Sequence, residues 1–251
     1  MVSRRFLLSG LAATVVAASP DPAVRIYAAM TFRPVLERVL QAYRDAGGSA
    51  VAAYAPTPVL IRQLAGGALA DILLTADPAW MDEAVRQKLV QPLTRSDLLR
   101  NELVLAAAAG SPTVGTITSG FALAGLLAGG RLAMCDPEHD PAGRYGKQSL
   151  QSLGFWPMVE GNIAIAESSL AAVVLVDHGE AKAAVCFKTD LHGDERAVAA
   201  GVFPPDSHAP IVYPVALAST ARGKNAAAAL AFLRSVESLR IFADFGYLPA
   251  A

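Results

Sequence analysis

Residues 135–150 read CDPEHDPAGRYGKQSL, an apolar run closing on a short acidic loop that leads into a helix start at Pro141. Two chemistries are open there. Asp136, Glu138, His139 and Asp140 are oxygen and nitrogen donors for a cation, while Pro141-Ala142-Gly143 begins a helix whose first N–H groups have no partner within the helix. The cation reading is poorly supplied. The four His residues, at 139, 178, 192 and 208, have no ligand spacing, and the chain has neither CxxC nor HExxH. Nucleophilic chemistry lacks a GxSxG elbow, and AGGALAD has neither the Lys nor the spacing of a phosphate-binding loop. A binding protein is expected rather than an enzyme. What recurs is a strand followed at once by a helix start, at Thr31, Thr57, Ala76-Asp77, Pro141-Ala142 and Ser168-Ser169. Each start offers free N–H groups and about half a positive charge from the helix dipole. Gathered at the carboxyl ends of parallel strands, such starts bind an anion without Lys or Arg. Ordinary helix capping accounts for Thr or Ser at any one of them taken singly.

The elements that would position these starts alternate. Strands are expected at VRIYAAM (24–30), AVAAYA, ADILLTA, ELVLAAAA (102–109), RLAMC, NIAIA, AAVCF and IVYPVAL (211–217). Helices fill the gaps. The first is capped by Thr31, with Phe32, Val35, Leu36, Val39, Leu40 and Tyr43 on one face, and one long final helix covers NAAAALAFLRSVESLRIFADFG. Strand–helix alternation argues for parallel sheets. The Gly/Ser/Thr-rich stretch 110–120 reads as a linker, after which the pattern restarts. Two lobes are therefore expected, residues 24–102 plus 213–251 and residues 103–212, with crossings near Glu102 and Tyr213.

Arg4 and Arg5, the uncharged stretch Phe6–Ala18 and small residues at Val16 and Ala18 have the layout of an export signal over residues 1–18. SRRFLL fits a general secretory or a twin-arginine signal, and the periplasm is the expected compartment. Removing Arg4 and Arg5 with it takes the 21 basic residues to 19 against 22 acidic, a net charge of −3. Without a basic tract, nucleic acid is excluded as a partner. The apolar content of 53% suffices for a packed core, and Cys135 and Cys186 read as two buried thiols.

Five segments carry a resemblance: YAAMTFRPVL, IRQLAGGALADILLTADPAWMD, LVQPLTR, GGRLAMCDPEHDPAGRYGKQSLQSLG and FPPDSHAPIVYPVAL. Along nearly the whole chain after the signal, the sequence resembles the periplasmic molybdate-binding proteins of ABC importers. The resemblance implies an α/β type II periplasmic binding protein fold with a ligand cleft between two lobes. The lobes would close on molybdate or tungstate and present the closed form, as a monomer without cofactor, to a membrane permease and its ATPase. By position it implies hydroxyl contacts at Thr31 and Thr57 and N–H contacts at Ala76, Ala142 and Ser169. Phe187 stands where many members carry a Tyr whose hydroxyl touches the oxyanion, and Arg33 where most carry no charge. Arg33 either points to solvent or adds a charge to the site. Another anion (sulfate, phosphate, a phosphonate, a small carboxylate) and a periplasmic sensory role on the same fold stay open.

Overall fold

A computed structural model of the chain describes residues 22–221 and 223–250. The expected export signal lies outside the described residues. The first run of elements is β1 (Val24–Ala29), α1 (Arg33–Asp45), β2 (Ala50–Ala55), α2 (Thr57–Ala65), β3 (Ile72–Leu74), α3 (Pro78–Arg86) and β4 (Ser96–Arg100). A second run follows: β5 (Leu103–Ala108), α4 (Leu123–Leu127), β6 (Leu132–Cys135), α5 (Pro141–Ser152), α6 (Trp156–Val159), β7 (Ile163–Ala166), α7 (Ser169–Asp177), β8 (Ala183–Phe187) and β9 (Ala197–Val202). The chain then closes with β10 (Val212–Leu217), α8 (Gly223–Leu233), α9 (Val236–Asp244) and β11 (Leu248–Pro249).

These strands form two sheets, in the orders β11-β4-β10-β3-β1-β2 and β7-β6-β8-β5-β9. The chain leaves the first sheet after Arg100, enters the second at Leu103, and returns between Val202 and Val212. Both sheets are mixed, where strand–helix alternation predicts parallel ones. β1 pairs in parallel with β2 and β3, and β6 with β7 and β8, each pair joined through a helix. β10 is antiparallel to β3 and β4, and β5 to β8 and β9. Parallel neighbours need a crossover helix. β5 and β10 enter directly from the other sheet, so no crossover sets their direction.

The core follows the apolar periodicity. Val35, Leu36, Val39 and Leu40 of α1 are buried, as are Leu60, Ile61 and Leu64 of α2. Phe32 meets Tyr213 edge-on at a centroid distance of 5.1 Å and stacks on Tyr247 at 5.7 Å. These contacts seat the C-terminal segment in the first lobe. At the junction of the lobes the buried Asn101 side chain donates to Thr189 Oγ1 and to the Tyr213 hydroxyl, each at 3.0 Å. Lys188 pairs with Glu102 beside it.

Three local expectations are corrected. Residues 110–120, expected to be a linker, instead join the edge of the second sheet. Val114 and Ile117 donate to Ala200 and Val202, so the stretch lies along β9 at the edge of the second sheet. The final helix is two helices, because the Ser235 hydroxyl accepts the Ser238 N–H and caps α9. Thr31 is not an N-cap. It sits in a 3-10 turn (Met30–Phe32), and α1 begins at Arg33, one residue later than a Thr31 cap would place it.

Candidate functional site

A cleft of about 790 Å³ opens between the lobes. It is lined by the turn after β1, by the starts of α2 and α3, and across from them by the starts of α5 and α7. The tail of β8 and the segment around Phe245 and Tyr247 close its sides. All five helix starts picked out in the sequence thus face one space, because in each lobe the parallel strands end on the cleft side.

The starts differ in what they leave free. Thr31 is exposed, and its carbonyl accepts the Tyr247 hydroxyl at 3.3 Å. At α2, Pro56 is an N-cap without a capping side chain, and Pro58 has no N–H to offer. The Thr57 side chain, 4% exposed, accepts the Ala76 N–H through Oγ1 at 3.3 Å. A hydroxyl that accepts one bond retains its proton for another, so Thr57 can still donate into the cleft. Ala76, expected to face an anion through its N–H, instead gives that N–H to Thr57 and orients it. At α3, Asp77 Oδ1 accepts the Trp80 N–H at 2.9 Å.

Across the cleft, α5 begins with Asp140 as N-cap. Its Oδ1 accepts the Ala142 N–H at 2.8 Å and the Gly143 N–H at 3.4 Å. Ala142, expected to offer its amide to an anion, lines the cleft, and in this structure a carboxylate holds that amide. At α7 the Ser168 hydroxyl accepts the Ala171 N–H at 3.1 Å. Ser169 is the first helical residue, so its own N–H has no acceptor inside the helix. Its side chain acts on the Asp190 carboxyl, favouring the ionised form.

Phe187 lines the cleft at the end of β8, its ring centroid 6.5 Å from that of Tyr145. Tyr145, one turn into α5, is a phenol in the cleft wall that motif reading passes over. Burial, and then the charge of Asp77 from the opposite lobe, push its ionisation up. Tyr213, Tyr247, Thr189 and Asp190 also line the cleft, and none carries a local sequence signal. Asp190 Oδ2 accepts the Phe187 N–H at 2.9 Å. Removal from water drives its pKa up to about 6, against the opposing pull of Ser169 and that N–H.

Arg33 lies outside the cleft lining. The residue is exposed, and its guanidinium stands 5.9 Å from the Tyr54 ring centroid. No lysine or arginine among the described residues lines the cleft. The acids of the 136–140 loop are used locally. Asp136 Oδ1 accepts the N–H groups of Glu138 and His139, and Glu138 pairs with Lys147. Among the described residues no group of three or more His, Cys, Asp or Glu is arranged to hold a metal ion. Cys135 and Cys186 are buried free thiols, both pushed up by desolvation. The arrangement suits a small anion held by neutral donors.

A family model described as bacterial extracellular solute-binding protein matches residues 24–248. The chain belongs to this family. Within it, the sequence is 34% identical over 226 residues to the molybdate-binding protein ModA of Escherichia coli K12, covering 89% of this chain and 88% of that one. It is 28% identical over 248 residues to ModA of Haemophilus influenzae, covering 98% and 96%. The periplasmic molybdate-binding protein of Azotobacter vinelandii superposes with a TM-score of 0.70 at 19% identity, over 91% of this chain and 100% of that one. That likeness establishes the two-lobe solute-binding fold. No helix among the described residues is long and apolar enough to cross a membrane.

Proposed function

We propose that the protein is the periplasmic receptor of an ABC importer and that its cleft takes up molybdate or tungstate. The observation that carries this reading is the meeting of four helix starts and the 3-10 turn at Thr31, bearing hydroxyl and N–H donors, in one cleft lined by no Lys or Arg among the described residues. A dianion there is stabilised by dipoles already oriented by the fold. The names of the two bacterial relatives support molybdate as the anion.

In this reading Thr31 and Thr57 donate hydroxyl protons from the first lobe, and Ala142 and Ser169 donate amide protons from the second. Ala76 acts through Thr57. An anion at α5 takes the Ala142 amide over from Asp140. Phe187 adds no hydrogen bond, and the nearby Tyr145 hydroxyl is the available substitute. Sulfate has the same charge and shape as molybdate but is smaller, so the spacing between the two lobes selects. Closure of the lobes about Asn101–Glu102 and the return segment gives the permease and its ATPase a liganded surface to read. The receptor works as a monomer, without cofactor, and turns nothing over.

A thermal melt tests this. Molybdate at 100 times its dissociation constant stabilises the folded state by about 2.7 kcal/mol, a rise in melting temperature of roughly 5–11 °C for a chain of this size. Tungstate should match it, while sulfate and phosphate leave the melt in place. A shift with sulfate or phosphate alone would assign the cleft a different anion.

A further inference from the structure

We propose that the Asp190 carboxyl takes up a proton when the cleft takes up its oxyanion, so that anion affinity rises as the medium is acidified. The inference rests on the anion reading above. It starts from position. Asp190 lies in the 3-10 turn Lys188–Leu191 that follows β8, half-buried in the wall of the cleft. Its carboxyl accepts the Phe187 N–H at 2.9 Å, and the Ser169 side chain, at the start of α7, favours its ionised form.

The groups facing it bring no compensating charge. β6 presents Cys135, β8 presents Cys186, β10 presents Tyr213, and the segment before β11 presents Tyr247. All four are thiols or phenols held neutral by burial. In its own turn Lys188 is engaged by Glu102, and Thr189 by Asn101. His192 stacks on Phe245 at a centroid distance of 4.1 Å. The next acid, Asp140, is bound to the start of α5 and also reaches Cys135. The remaining ionisable groups of the lining are Asp77, His139, His192 and Tyr145.

A dianion entering this space meets an ionised carboxylate with no cation between them, and like charges in a desolvated site raise one another's proton affinity. The carboxyl is already poised for it, at about 6. The sign follows. Anion binding raises the Asp190 pKa above 6, so between the free and bound values each binding event carries a proton in. Across that interval the dissociation constant falls by up to about tenfold per pH unit, and below the free value it is flat.

Calorimetric titration of the protein with molybdate at pH 7, in PIPES and in imidazole, counts the protons. The expected count is roughly half to one proton taken up per anion, with affinity tightening about threefold or more from pH 7.5 to 6. Asp190→Asn should abolish both. The cleft histidines are the competing source, so His139→Gln/His192→Gln should keep the uptake, which also serves if Asp190→Asn does not fold. Tight binding with zero proton uptake overturns the proposal, as does uptake that survives Asp190→Asn or vanishes in the histidine variant. Failure to bind molybdate at any pH overturns the anion reading itself, and this inference with it.

Discussion

Gly143→Ala is expected to cost about 3 kcal/mol or more of folding stability, read as a melting temperature lower by roughly 6–12 °C. Gly143 is the third residue of α5. A Cβ there would sit 2.0 Å from the Asp136 carbonyl oxygen, 2.5 Å from its carbon and 2.7 Å from the Cys135 oxygen. All three are backbone atoms at the end of β6, so no change of rotamer relieves the contact. The helix start must lift off the strand, and with it the Ala142 amide that lines the cleft. Anion affinity should therefore fall along with stability, measured by calorimetry on whatever fraction remains folded. Gly125→Ala is the control. It lies inside α4 with nothing within 4 Å of its would-be Cβ, and should be neutral or gain about 0.5–1 kcal/mol. Gly146, deeper in α5, is an intermediate case, since its Cβ would meet only side-chain ends of Met134 and Val185, at 2.9 Å each.

Thr57→Ala is expected to weaken molybdate binding about 5- to 150-fold, the equivalent of losing a hydrogen bond to a charged group worth roughly 1–3 kcal/mol. The residue is buried at the start of α2, where Pro56 and Pro58 leave few other donors. Removing the hydroxyl also strips the Ala76 N–H of its acceptor. Thr57→Val keeps the shape and should lose as much affinity as Thr57→Ala. Thr57→Ser keeps the hydroxyl and should stay near the parent. Titration calorimetry of the three variants separates loss of the donor from loss of packing. Equal affinity in Thr57→Val and the parent would remove Thr57 from the site.

The helix starts were legible because their signals are local. Pro78 behind Asp77, Pro141 behind Asp140 and the Ser168-Ser169 pair announce the turn from strand to helix within a few residues. Asp77, Asp140 and Ser168 do accept the N–H groups of the helices they open. The first turn misled because Met30–Phe32 tightens into a 3-10 turn, driven by Phe32 burying itself between Tyr213 and Tyr247 from the far end of the chain. Long-range partners explain the other misses. β4 (SDLLR) shows only Leu98 and Leu99 as apolar residues and is a strand because β10 and β11 flank it. β9 (AVAAGV) looks like filler until β5 pairs with it. The cleft lining has the same character. Tyr145, Asp190, Tyr213 and Tyr247 come from four separated segments, and only the packing of the lobes brings them to one space. Arg33 shows the reverse: its number places it beside the first contact, and its guanidinium stands by the Tyr54 ring.

The measurement that bears most directly on the account is an anomalous-difference map from crystals grown with molybdate and recorded at the molybdenum edge. The account predicts one strong peak in the cleft, with oxyanion oxygens about 2.7–3.2 Å from the Thr31 and Thr57 hydroxyls and from the Ala142 and Ser169 amides. A peak elsewhere on the protein, or a cleft without one at saturating molybdate, would contradict it.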